Sequence, residues 1–78
     1  MTIAELRTQC GQVPFQPFVA HLADGRQIFI RHPDFVMFAP SGRSMIVYQP
    51  DDSYNVVDLR RVTDLEVRSN GESPQQSS

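Results

Sequence analysis

The sequence predicts a small, mainly β protein: a short N-terminal α-helix followed by a strongly bent antiparallel sheet or small barrel of five to six strands. Three observations carry that expectation. Short apolar runs recur at close spacing from Phe18 to Val67, as in all-β domains. Two glycine turn signatures, "ADGR" at 23–26 and "PSGR" at 40–43, separate such runs. A helix-capping signature stands at the N-terminus, ahead of all of them.

The helix comes first. Thr2 followed by Glu5 fits a capping box, in which each side chain satisfies the other residue's orphan backbone N–H. Ile3, Leu6 and Cys10 then fall on one helical face, and Gly11 stands where a C-terminal capping glycine belongs. This predicts a helix over residues 3–10, too short to persist in water without docking its apolar stripe. "VPFQPF", 13–18, holds two prolines in four residues. They forbid a helix and favour an extended path anchored by Phe15 and Phe18.

Strands are expected at about 18–22, 26–31, 35–39, 43–48, 54–59 and 62–67. The first hairpin can be argued to the residue. A two-residue loop at Asp24–Gly25 would split the apolar side chains between both faces. A three-residue loop, Ala23–Asp24–Gly25, with a left-handed glycine sets Phe18 opposite Ile30, Ala20 opposite Ile28 and Leu22 opposite Arg26. One face becomes continuously apolar, so this register is the one expected. The same turn chemistry at Pro40 and Gly42 pairs Phe35 with Val47 and Met37 with Met45. Arg60–Arg61 marks a one-turn break between the last two strands. Residues 1–68 form a single domain, and 69–78, "SNGESPQQSS", carry no large apolar side chain and are expected to be disordered.

Composition bounds the function. Seventy-eight residues make one domain that buries only about 60% of its unfolded surface, so its own stability is marginal. Cys10 is the only cysteine, which excludes an internal disulfide and fits a reducing compartment. The start lacks the pattern of a signal peptide, and no apolar run approaches the roughly 20 residues that span a bilayer. A cytoplasmic protein with no membrane association is the expectation. Seven basic residues stand against nine acidic ones, net −2, which disfavours a phosphate-binding surface. All seven are arginine; this fits selection for bidentate anion recognition, or a GC-rich codon usage with no functional content.

Candidate chemistry is sparse. His21 and His32, with Cys10 or Asp34, have the residue types of a metal site, but the expected register sends the two histidines to different faces. His32–Pro33–Asp34 reads as a corner: proline ends a strand, and Asp34 accepts from nearby backbone donors. Asp51, Asp52, Asp58 and Asp64 could supply paired carboxylates for acid–base work, but Asp51–Asp52 lies in a Pro/Asp/Ser loop where turn formation accounts for it. No nucleophile elbow, phosphate loop or dinucleotide fingerprint is present. No enzyme activity, metal or cofactor is expected. Arg26, Arg43, Arg60 and Arg61 are the candidate contacts for RNA or another anion, with Phe29, Phe38 and Tyr48 able to stack bases.

The short break at Arg60–Arg61 is a feature of SH3-like and Sm-like small barrels. On that basis "PFVAHLADGRQIFIRHPDFVMF", 17–38, resembles the first Sm motif of bacterial Hfq-type proteins. A helix precedes the barrel, an acidic residue precedes the hairpin glycine, and Asp34 precedes the apolar Phe35, Val36 and Met37. The resemblance spans about 18–67. The tyrosine–lysine–histidine run of the second Sm motif has no counterpart. The chain also resembles a group of small bacterial proteins that share "PF-x-PF", "HLADGR" and "HPDF", here at 14–18, 21–26 and 32–35; that resemblance implies no activity.

The segments 35–39, "FVMFA", and 45–48, "MIVY", are apolar on both faces, whereas an antiparallel sheet usually turns one face to water. An eight-residue helix covers little. The expectation is therefore a non-enzymatic protein–protein interaction module that forms a homo-oligomer through Val36, Phe38, Ile46 and Tyr48, most simply a two-fold dimer. The alternative is an Sm-like RNA-binding ring.

Overall fold

The computed structural model describes residues 2–67; the tail expected over 69–78 lies outside the described residues. Helix α1 runs Ile3–Cys10, and six strands follow: β1 Phe18–Leu22, β2 Gln27–Ile30, β3 Val36–Phe38, β4 Ser44–Tyr48, β5 Tyr54–Asp58 and β6 Val62–Val67. Single 3-10 turns sit at Pro33–Phe35 and Leu59–Arg61. The capping box forms: Thr2 Oγ1 accepts from the Glu5 N–H at 3.3 Å, and Glu5 Oε1 accepts from the Thr2 N–H at 3.0 Å. Gly11 departs from expectation. Its φ is −89°, not left-handed; the helix ends by tightening, with the Gly11 N–H reaching both Arg7 O and Thr8 O.

The strands form two antiparallel three-stranded sheets, ordered β2-β1-β6 and β3-β4-β5, rather than a closed barrel. The reason lies at the corners. Pro33 cannot donate to a ladder, and the turn it opens separates β2 from β3. The Leu59–Arg61 turn separates β5 from β6 in the same way. Both sheets share one core. Phe18, Ala20, Leu22, Ile28, Ile30 and Val62 come from the first, Met45, Val47 and Val57 from the second, and Leu6 from the helix. Leu6 is fully buried, and Ile3 and Cys10 pack beside it, so the helical stripe docks as its spacing requires.

The first hairpin has the expected register. Phe18 pairs with Ile30 and Ala20 with Ile28, the Leu22 N–H donates to Arg26 O at 2.9 Å, and Gly25 has φ +92°. The second hairpin does not. Val36 pairs with Val47, Met37 with Ile46 and Phe38 with Met45, one residue away from the pairing of Phe35 with Val47 and Met37 with Met45. Its turn starts alike, with Gly42 at φ +74° and the Gly42 N–H on Ala39 O. However, Ala39 N–H donates to Ser44 O, leaving Arg43 as an extra loop residue. The Arg43 N–H is held by Ser41 Oγ, and its carbonyl accepts from Leu59 N–H. Phe35 is also unavailable as a strand residue, because the Pro33–Phe35 turn uses it.

A candidate interaction face on the second sheet

A one-residue shift exchanges the two faces of a strand. Val36 and Phe38 turn inward and pack against the core with Met45 and Val47. Met37 turns outward. The four residues expected at an interface are therefore divided: Val36 and Phe38 are core-facing, while Ile46 and Tyr48 remain on the outer face. The outer face gains Met37, Tyr54 and Val56. Met37, Ile46 and Val56 lie in one cross-strand row, and Tyr48 lies opposite Tyr54, their ring centroids 5.5 Å apart. Met37 is 63% exposed, Val56 61% and Tyr54 59%; side chains of this size are rarely left so open in a contiguous group. No charged side chain stands between the two rows. A shallow apolar depression of about 250 Å3 continues the face beside the β3–β4 hairpin, where Pro40 joins Met37, Ile46 and Val56.

The outer face of the first sheet is finished differently. Val19 is buried although it points away from the core cluster, and it lies between Phe29 and Glu66. The Arg31 guanidinium covers the Phe29 ring at 4.5 Å. His21 Nε2 meets Glu66 Oε1 at 2.9 Å. Polar and cationic groups thus cover the apolar atoms of one sheet and leave those of the other bare.

Tyr54 and Val56, an i, i+2 pair on β5, were not among the residues expected at an interface; the signal for them was their spacing beside the apolar "MIVY" strand. Met37 could be found only by knowing the loop length.

The four candidate arginines converge on one end of the molecule. The Ala23 N–H donates to Arg61 O and the Leu59 N–H to Arg43 O, which ties the β1–β2 turn, the β3–β4 turn and the Leu59–Arg61 turn together. Two of the four are already engaged. Arg26 Nε donates to Asp24 Oδ2 at 3.0 Å. Arg60 Nε and Nη2 donate to Asp58 Oδ1 and Oδ2 at 3.2 and 2.8 Å. These contacts, with the Arg60 backbone N–H, pull the Asp58 carboxyl down to about 2. Arg43 and Arg61 form no ion pair among the described residues.

The remaining candidates are structural. His32 Nδ1 accepts from the Asp34 N–H at 3.1 Å, and its ring lies between those of Phe15 and Phe35, at 6.2 and 6.0 Å. The corner forms as expected, but with the roles exchanged: the histidine caps the turn, and Asp34 stays open to solvent. Burial pushes the Cys10 thiol up, which favours the inert thiol over the thiolate. Among the described residues no three of His, Cys, Asp and Glu gather as a metal site, and no helix is long and apolar enough to cross a membrane. A wider groove of about 510 Å3 separates α1 from β6, lined by Glu5, Thr8, Gln9 and Val67 among others. Compared with protein-family models, curated proteins and solved structures, the chain finds no match.

Proposed function

We propose that this chain is a non-enzymatic protein–protein interaction module that self-associates through the outer face of the β3-β4-β5 sheet. One observation carries the reading: the uncharged outer ladder in which a half-buried Ile46 is flanked by the exposed Met37 and Val56, with the exposed Tyr48 and Tyr54 beside it. Burying such a surface removes apolar area from water at roughly 25 cal/mol per Å2. The open edges of β3 and β5 add a second reason for a partner. The two small sheets and the 3-10 turn before the last strand support an SH3- or Sm-like outline, and the single cysteine supports a cytoplasmic setting. The shared "PF-x-PF", "HLADGR" and "HPDF" segments support membership of the small bacterial group that carries them.

Solution mass by light scattering against concentration tests the reading. The wild type is expected to exceed the monomer mass of 8.9 kDa, and Val56→Glu to return it to monomer with its melting curve retained. A wild type that stays monomeric at high micromolar concentration overturns the reading.

The second reading, an Sm-like RNA-binding ring, has the gathered arginine end in its favour. Asp24 and Asp58 offset much of that charge, and the chain is net acidic. RNA retention that falls steeply with salt would favour it.

A further inference from the structure

We infer that the occupant of this face is a second copy of the chain, packed antiparallel about a two-fold axis so that the β4–β5 turn of each copy lies against the arginine end of the other. The inference rests on the self-association reading and fixes its geometry.

The argument is one of charge layout. β4 and β5 have five residues each, so the two ends of the exposed ladder stand about 17 Å apart at 3.3 Å per residue. The turn at one end, 49–53, carries Asp51 and Asp52 and no basic residue. The other end carries Arg26, Arg43, Arg60 and Arg61 against two carboxylates, Asp24 and Asp58, which Arg26 and Arg60 already hold. Between the ends the face is uncharged. At physiological salt the screening length is about 8 Å, so each end responds to the charge set directly against it and hardly to the far end. In a two-fold contact, patch i meets j and j meets i. Antiparallel packing then sets Asp52 against Arg43 and Arg61 twice over. Parallel packing sets acid on acid and guanidinium on guanidinium. Complementary ends of this kind fix register and suppress wrong pairings. They also matter because the apolar ladder is small beside the about 800 Å2 per partner of a standard interface.

Charge exchange tests this without touching the apolar ladder. Arg43→Glu/Arg61→Glu makes both ends acidic, and Asp51→Lys/Asp52→Lys makes both basic. Each variant alone is expected to dimerise roughly tenfold or more weakly than the wild type, the effect of like charges placed in opposition. An equimolar mixture is expected to recover the wild-type dimer mass as a heterodimer. Asp52 has φ +72°, so lysine there adds strain; Asp52→Asn keeps a residue tolerant of that conformation, and should weaken dimerisation at low salt more than at high salt. A wild-type dimer that neither charge variant weakens, or a mixture that stays monomeric while both variants melt cooperatively, overturns the two-fold arrangement and leaves self-association standing. A monomeric wild type overturns both.

Discussion

Gly25 and Gly42 show how much a single backbone angle decides. Both are left-handed, where a Cβ meets its own backbone at a cost of roughly 1–2 kcal/mol. A Cβ at Gly25 would touch nothing within 4 Å, and at Gly42 only the Ile3 side chain at 3.6 Å. The cost of substitution at Gly25 is therefore purely conformational. Gly25→Val is expected to lower stability by about 1 kcal/mol or more in urea denaturation, and Gly25→Asn by clearly less. Asp58 makes a second case. Its folded pKa of about 2 lies below the unfolded value of about 3.9. Its contribution is thus complete above pH 4 and fades as pH falls through 2. Asp58→Asn should lower the melting temperature at pH 7, and the gap from wild type should close as pH falls from 4 towards 2.

Among the elements, the two hairpins differ in how openly the sequence declares them. "LADGRQ" offers two loop lengths, and only one collects Phe18, Ala20, Ile28 and Ile30 on a single face; the structure has that one. "FAPSGRSM" offers two lengths as well, but its flanking strands are apolar on both sides, so the hydrophobic pattern cannot choose between them. The choice falls to contacts distant in sequence, the Arg43 carbonyl with the Leu59 N–H and the diversion of Phe35 into the Pro33 turn. The consequence is measurable. Met37→Ser, on an exposed residue, should change stability by no more than about 0.5 kcal/mol. Phe38→Ser, which strips a ring from the core margin, should cost a few kcal/mol. The register expected from sequence would give the reverse order. The helix needed no such arbitration: its cap, stripe and length are all local, and Leu6→Ala should cost about 2–5 kcal/mol by emptying a fully buried site.

At the scale of the whole molecule, the six strands and the break before the last one were legible because each is marked by neighbours in sequence. The division into two sheets was not, since it depends on how two corners interrupt ladders between strands far apart. The same holds for the candidate site. The double-sided apolar strands announced an uncovered face; which half of each strand forms it was settled only by pairing. The charge ends of that face predict that raising ionic strength within a moderate range weakens self-association, measurable as a salt-dependent sedimentation shift, while the apolar ladder keeps part of it. That ladder belongs to a meander of consecutive strands, β3 to β5. By contrast, β1 is the middle strand of its sheet and receives one neighbour, β6, only from the far end of the described chain, with Phe18 waiting for Val67. The second sheet is thus closed by neighbours in sequence, and the first only by the last strand. Leu65, on β6, packs against the core, so in Leu65→Ala amide exchange in β1 and β6 should quicken ahead of exchange in β4, which marks the first sheet as the part of the molecule that opens first.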